Sequence, residues 1–210
     1  HGTYIKIGND LNIERKQDKE ENMDFLDKRV GVICNELKKL KVKQVFPLTQ
    51  WEYKEGNFIH PEDALKDEAA WENFDCKTMH WYGKDRHYWF RTTYTVPEEL
   101  DGKSIWIRVS SQIDEWDDGR NPQFIVFVNG EVYQGIDMNH RECLITRSGK
   151  AGETLTIDLQ AYTGIMHEEF ALRTQIEEID AEIEKLYYDL WVPLAAFSRM
   201  EADDKNRKDI

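Results

Sequence analysis

The stretch FIVFVNGEVYQG, residues 124–135, decides the fold class of this 210-residue chain. Asn129-Gly130 interrupts a run of apolar, β-branched and aromatic residues. Asn-Gly is the pair that a type I′ turn prefers, because both central residues of that turn need a positive φ. The sequence therefore predicts two antiparallel strands, at 124–128 and 131–134, joined by a tight turn.

The hydrophobic pattern keeps a period of two over most of residues 86–178, which is the period of a β-strand. Further strands are predicted in RHYWFRTTYTVP (86–97), LDGKSIWIRVSS (100–111), HRECLITR (140–147), GETLTIDLQAY (152–162) and FALRTQIEEI (170–179). Turn residues such as Asp101-Gly102 separate them. Short strands at regular spacing are typical of an antiparallel jelly-roll β-sandwich, and we predict that fold class, mainly β with helices at both ends.

Helical periodicity appears at the two ends of the chain. Apolar residues three and four apart predict an amphipathic helix at about 17–41 and another at about 180–200. Pro61 favours the start of a short helix. The stretch KVKQVFPLTQWEYKEG (41–56) contains a proline, so it is interpreted as one edge strand or an extended link.

These patterns predict three parts. Residues 1–85 form a helical segment and a Trp-rich connector that packs on the sandwich. Residues 86–178 form the jelly roll, and residues 179–210 form a C-terminal helix.

The composition disfavours several classes of partner. A formal net charge of −13 repels phosphate backbones, so nucleic acid is not expected. No apolar run approaches the roughly 20 residues that span a bilayer, so we expect no membrane partner. No signal-peptide pattern opens the chain, so we expect a cytoplasmic location. Cys34, Cys76 and Cys143 are odd in number and scattered, which favours reduced thiols. The first residue is His1 and the end is highly charged, so we expect a piece of a longer protein.

The order YWFRTTYTVPEELDGKSIWIRVSS, FIVFVNGEVYQG, LTIDLQAY resembles the galactose-binding-like jelly roll that accompanies many glycoside hydrolases. The segments on either side of the jelly roll indicate a more specific family. With the N-terminal helix and LRTQIEEIDAEIEKLYYDLWVPLAAF (172–197), the chain is similar to the N-terminal region of glycoside hydrolase family 38 α-mannosidases of the cytosolic and vacuolar-like type. In that family the helix after the sandwich leads into the catalytic domain.

The resemblance implies a non-catalytic accessory domain. Its parent would carry out retaining, metal-dependent hydrolysis of terminal α-mannosides. The implied partners are its own catalytic domain, oligomannose-type carbohydrate and a second copy of the chain. The family's catalytic region opens with a His-x-Asp pair that ligates a divalent metal, normally zinc. None of the six histidines here is followed two places on by Asp. No catalytic residue or metal ligand is therefore assigned, no cofactor is expected in this chain, and the zinc belongs to the parent.

Other candidate sites have plainer explanations. Cys76 and His80 make half of a zinc pattern, with His87 nearby, but no second pair completes four ligands. DEWDDG (114–119) is rich in the carboxylates that calcium prefers, yet it lacks the EF-hand pattern and is interpreted as a solvated loop. The doublets 168–169 and 177–178 place adjacent glutamates on opposite faces of a strand, so we expect solvent-facing charge there.

Five residues are candidate carbohydrate or interdomain contacts: Trp116, Asp117, Tyr133, Leu190 and Trp191. The C-terminal helix is expected to carry Leu190 and Trp191 on one apolar face with Leu186 and Leu194. The first hypothesis is an accessory domain that contacts its catalytic domain through this face and through the acidic loop near Trp116. The second is an autonomous carbohydrate-binding module that uses Trp116 and Tyr133 as platforms. The third, a free-standing enzyme, is disfavoured by the absent metal pair.

Overall fold

The computed structural model describes residues 10–111, 113, 120–201 and 204–205. Its helices are α1 (Asp10–Leu40), α2 (Pro61–Lys66) and α3 (Ala181–Phe197). Its strands are β1 (Val42–Leu48), β2 (Gln50–Glu55), β3 (Glu72–Asp75), β4 (Trp81–Gly83), β5 (His87–Thr95), β6 (Ile105–Ser110), β7 (Gln123–Val128), β8 (Glu131–Ile136), β9 (Glu142–Thr146), β10 (Thr154–Tyr162), β11 (Glu168–Phe170) and β12 (Arg173–Ile179). In the ranges that the structure describes, no helix is long and apolar enough to cross a membrane.

The strands form antiparallel sheets that face each other across one core. A four-stranded sheet has the order β1-β12-β6-β9, and a six-stranded sheet has the order β3-β2-β5-β10-β7-β8. A small third sheet pairs β11 with β4. The predicted fold class, a mainly β antiparallel sandwich with helices at both ends, is confirmed.

The core of the sandwich comes from alternate residues of strands in both sheets. Its largest fully buried side chains are Trp81, Phe74, Phe90, Phe170, Leu100, Ile105, Ile107, Ile157, Leu159, Leu172 and Ile176, whereas Trp89 packs in a second cluster with Ala64 and Phe127. Each such side chain contributes roughly 1.5–3 kcal/mol when it leaves water. The Trp51 indole of β2 donates to Thr174 Oγ1 of β12 over 2.9 Å, and Thr174 in turn donates to the Leu48 carbonyl. This buried chain of hydrogen bonds ties the two sheets together.

The β7–β8 hairpin has the geometry that its sequence predicts. Asn129 has φ 51° and Gly130 has φ 85°, both positive as a type I′ turn requires. The Asn129 side chain also accepts a hydrogen bond from the Thr156 backbone N–H at 2.8 Å, and its own N–H donates to the Thr156 carbonyl. The turn is thereby fixed to the neighbouring strand β10.

The sheets begin earlier in the chain than the sequence predicted. The stretch 41–56 forms two strands in different sheets, not one. β1 is an edge strand, as its Pro47 requires, but β2 lies inside the six-stranded sheet between β3 and β5. The short strands β3 and β4 were not predicted at all. The sandwich strands therefore start at Val42 and not near residue 86.

Two compact units account for the chain: residues 1–41 with 180–210, and residues 42–179. We call the first the helical unit and the second the sandwich unit. This grouping joins the two chain ends, whereas the sequence placed them in separate parts; the three-part division stays a prediction.

The helical unit pairs α1 with α3 in opposite directions. The backbone N–H of Asp180 donates to the Lys41 carbonyl, so the end of α1 meets the start of α3. Farther along the pair, Gly31 of α1 faces Leu194 of α3, whose Cδ2 lies 4.0 Å from where a Cβ on Gly31 would stand. The Asp180 carboxylate caps α3 by accepting from two N–H groups of its first turn. α3 contains Pro193 and continues through it to Phe197.

Candidate functional site

Three aromatic rings cluster on α3. Tyr187 and Trp191, one turn apart, stack with ring centroids 6.2 Å apart and planes inclined by 17°. Tyr188 meets both rings edge-on, at 4.9 Å from Tyr187 and 6.3 Å from Trp191. Tyr188 is 44% exposed and Trp191 is 42% exposed. We call these three residues the aromatic cluster; large rings held together yet open to solvent are unusual in a self-contained fold.

The apolar face predicted on this helix divides into two parts. Leu190 and Leu194 are half-buried, and Leu194 lies on the side that faces α1. Trp191 follows Leu190 by one residue, about 100° around the helix, and so lies beside that face. Leu186 is exposed. The predicted contact residues Leu190 and Trp191 therefore differ in exposure: Leu190 is half-buried, whereas Trp191 is 42% exposed.

α1 also carries exposed apolar side chains. Among the described residues these are Phe25, Leu26, Val32, Ile33 and Leu40, all about half exposed or more. Within α1, Cys34 is the buried apolar residue that the structure describes. The described side chains of α1 thus bury little of their apolar surface, and exposed patches of this kind mark interaction sites.

The other predicted contact residues come from a different part of the sequence. Tyr133 is on β8, the edge strand of the six-stranded sheet, and is 45% exposed beside Val132. Trp116 and Asp117 lie outside the described residues, so their contact role stays a prediction. Tyr133 therefore belongs to the sandwich unit, whereas Leu190 and Trp191 belong to the helical unit.

The suggested zinc half-site does not form a cluster. Cys76 is partly buried, and burial raises the pKa of its thiol to about 11, which keeps the thiol protonated at neutral pH. His80 lies 3.8 Å from Glu169, whereas the His87 ring packs against Tyr162 with centroids 4.9 Å apart. Among the residues that the structure describes, no three His, Cys, Asp or Glu side chains are placed to hold a metal ion.

One glutamate doublet differs from its prediction. Glu169 is solvent-facing and Glu168 accepts a hydrogen bond from Arg120 at 2.8 Å. Glu177, in contrast, is 2% exposed, so the prediction of solvent-facing charge was wrong there. The reason is the position of β12 inside its sheet: Val45 and Trp106 flank Glu177 on either side, and Gln175 donates to its carboxylate at 2.6 Å.

The six-stranded sheet carries two sizeable clefts in the described part of the sandwich unit. One, of about 520 Å³, lies on the outer face of the sheet and includes His87, Gln123, Ile125 and Tyr162 in its lining. The second, of about 450 Å³, lies near the opposite edge of that sheet, where Tyr53, Glu55, Glu72, Trp81, Tyr82 and Tyr88 line it. We call the second one the aromatic cleft. No local pattern in the sequence marks it, because its residues come from four strands and only the pairing of β2, β3 and β5 brings most of them together.

No family model matches the chain, and no curated protein sequence matches it. Among solved structures, the chain is similar to the β-glucuronidase from Ruminococcus gnavus. The apo form has a TM-score of 0.44 and 13% sequence identity over 66% of this chain and 29% of that chain. The complex with uronic deoxynojirimycin has a TM-score of 0.43 and 12% identity over 67% and 30%.

The chain thus spans about 30% of the length of that enzyme. A similarity of this size supports no conclusion about activity, ligand or site residues. The functional proposals for this chain rest instead on the contacts and exposure of its own residues.

Proposed function

We propose that this chain is a non-catalytic N-terminal accessory domain of an α-mannosidase of the glycoside hydrolase family 38 type. The parent protein would hydrolyse terminal α-mannosides with retention, using a divalent metal, zinc, held by its catalytic domain. The main role of the accessory domain is contact with that catalytic domain. The observation that carries the proposal is the exposed aromatic cluster of α3.

The cluster has the chemistry of an interface anchor. Tyr and Trp are enriched among the residues that dominate binding energy, because they bury large area and lose little conformational freedom. Full burial of a large apolar side chain is worth roughly 1.5–3 kcal/mol. Tyr187 holds the Trp191 ring parallel to its own, so the orientation of Trp191 is set before any partner arrives. A preorganised anchor of this kind costs less to bind.

The motif content of the sequence supports an accessory role. The strand and turn order of residues 88–162 resembles the jelly roll of glycoside hydrolases, and no His-x-Asp pair occurs in the chain. The proposal therefore assigns the catalysis to a region outside this chain, with a cytoplasmic location and its own catalytic domain as the main partner. Oligomannose and a second copy of the chain are the further partners it allows.

The experiment is an activity comparison. The gene region that continues beyond residue 210 is expressed together with this chain, and hydrolysis of an aryl α-mannoside is measured with zinc or cobalt added. We expect turnover by the longer protein and none by the 210-residue chain. A longer protein that cleaves other glycosides but not α-mannosides would contradict the family assignment. Activity of the 210-residue chain that changes with a point substitution in it would contradict the accessory role.

An autonomous carbohydrate-binding module is the second candidate, favoured by the 45% exposure of Tyr133 on an edge strand. It predicts sugar binding by the isolated chain that is lost in Tyr133→Ala. It gives no role to the aromatic cluster of α3. We therefore rank it below the accessory domain.

A further inference from the structure

We propose that the aromatic cleft binds a neutral saccharide, with one subsite on each side of Tyr82. The inference does not depend on the proposed function, because it rests on the sandwich unit alone. The proposed site does not include Trp116 or Tyr133, the two aromatic residues that the sequence predicted as platforms for sugar. Tyr133 is on β8, at the opposite edge of the six-stranded sheet from β3, which carries Glu72.

The cleft is built by strand pairing. β2 supplies Tyr53 and Glu55, and Tyr53 pairs directly with Glu72 of the edge strand β3. On the other side of β2, Glu55 pairs with Tyr88 of β5. The small sheet adds Tyr82 of β4, whose neighbour Trp81 packs edge-on against Tyr88 at 5.5 Å. The walls are therefore held by backbone ladders and by a buried indole, and the site is largely formed before a ligand arrives.

Tyr82 is the exposed platform of the cleft. Its side chain is 61% exposed, and its ring meets the His167 ring at 6.4 Å. It lines the cleft of about 450 Å³ and also an adjoining cavity of about 330 Å³ that contains Arg86 and His167. Sugar rings have apolar C–H faces that lie well on aromatic rings. Because the Tyr82 ring lines both cavities, each cavity can hold one of two adjacent sugar units beside that ring.

The polar groups of the aromatic cleft can donate hydrogen bonds to sugar hydroxyls and accept hydrogen bonds from them. Tyr53 Oη lies 3.4 Å from Glu72 Oε2, and burial and this carboxylate raise the pKa of Tyr53, so its hydroxyl stays a donor at neutral pH. Glu55 and Glu72 are exposed carboxylates that accept hydrogen bonds. The indole N–H of Trp81 is buried and has no hydrogen-bond partner in the part of the chain that the structure describes. A buried donor of this kind gains when an acceptor reaches it.

Charge narrows the ligand class. Lys54 and Glu55 line the cleft but are each paired, with Asp67 and Arg86 respectively, so the carboxylate of Glu72 is the group that disfavours phosphates and uronic acids there. Lys84 and Arg86 line the adjoining cavity, and Arg86 pairs with Glu55, so a cation finds no uncompensated negative field there. A purely apolar ligand would leave the buried Trp81 N–H without an acceptor. Hydroxyls both donate and accept, which matches this mixture of groups.

The test titrates the 210-residue chain with methyl α-mannoside, methyl β-glucoside and methyl β-galactoside, monitored by backbone amide NMR shifts. We expect at least one of them to bind in the millimolar range, with shifts at residues 53–55, 72 and 81–88. Tyr82→Ala should weaken that binding by about fivefold or more, because a stacking ring is lost. Trp81→Phe keeps an aromatic ring and removes the N–H, and it should also weaken binding.

The matched control is Tyr133→Ala, a tyrosine that is also exposed, at the opposite edge of the sheet. It should leave the affinity unchanged. The inference is overturned if none of the three glycosides binds at 50 mM or below, on the order of the weakest useful affinity. It is also overturned if Tyr133→Ala weakens binding as much as Tyr82→Ala does. The amide spectrum of each variant shows whether it is folded, and Tyr82→Ala removes an exposed side chain.

Discussion

Tyr187 and Trp191 stack on α3 with ring centroids 6.2 Å apart, while 42% of the Trp191 surface remains open to solvent. The helix places the two rings one turn apart, and their stacking sets the orientation of the exposed indole. A fold that needed these rings only for its own stability would bury them. An exposed indole with a fixed orientation is instead the arrangement expected of a side chain that becomes buried against a partner protein.

The aromatic cluster should be detectable in the isolated chain by a dye for exposed apolar surface. We expect the double variant Tyr188→Ser and Trp191→Ser to lower 8-anilinonaphthalene-1-sulfonate fluorescence, because both side chains are among the exposed large hydrophobic residues. Its free energy of unfolding should change by about 1 kcal/mol or less, as is usual for surface substitutions. Tyr133→Ser is the control and should alter the fluorescence less. Equal dye fluorescence in the double variant and the unsubstituted chain would contradict this prediction.

Two glycines at the β7–β8 hairpin should respond in opposite ways to alanine. Gly130 has φ 85° with open space around it, so Gly130→Ala should cost about 1 kcal/mol from backbone strain alone. Gly135 has no such φ, and a Cβ added there would have the Phe124 carbonyl oxygen as its nearest neighbour, at 3.9 Å. Gly135→Ala should therefore be neutral or slightly stabilising. Urea unfolding of both variants tests the pair, and a Gly130→Ala chain as stable as the unsubstituted one would count against the turn geometry.

The buried ion pair between β5 and β10 should be costly to break. Arg91 donates to Asp158 through Nε at 2.6 Å and through a terminal nitrogen at 2.9 Å, and the Asp158 side chain is 1% exposed. Asp158→Ala should destabilise the chain by about 3–5 kcal/mol, because it leaves a guanidinium without its partner. The double variant Arg91→Met and Asp158→Leu should recover part of that loss. A double variant less stable than the single one would contradict this explanation.

The Cys143 thiol should make the stability depend on pH in the alkaline range. Burial raises its pKa to about 11, so the folded chain holds this proton more tightly than the unfolded chain does. The stabilisation is complete below the unfolded pKa of about 8.5 and is lost as the pH rises toward the folded value. The free-energy difference between the unsubstituted chain and Cys143→Ala should therefore shrink between about pH 8 and about pH 11. Urea titrations at both ends of this pH range measure this difference in the free energy of unfolding. A difference that increases with pH would contradict the prediction.

Local pattern predicted some parts of this molecule well. Asn129-Gly130 predicted the hairpin because the turn chemistry is contained in two adjacent residues. Pro61 and Pro47 likewise marked a helix start and an edge strand. These features depend on the backbone of a few neighbouring residues, which the sequence displays directly.

Long-range pairing was not predictable in the same way. β3 and β4 are four and three residues long, too short for a periodic signal, and their strand character comes from partners elsewhere in the chain. The burial of Glu177 depends on Val45 and Trp106 in the two flanking strands. Tyr82 of β4 and Glu72 of β3 belong to different sheets, and the packing of Trp81 against Tyr88 of the six-stranded sheet brings β4 to the cleft that both residues line.

Docking of α3 on a catalytic domain is tested most directly by the stability of the parent protein. Trp191→Asp is introduced into the longer protein and into the 210-residue chain, with Tyr133→Asp as the matched control. We predict that Trp191→Asp destabilises the catalytic domain by about 2 kcal/mol or more, as the loss of a central interface aromatic does. The isolated chain and the Tyr133→Asp parent should change little. A parent whose catalytic domain unfolds at the same denaturant concentration with and without Trp191→Asp would contradict docking through α3.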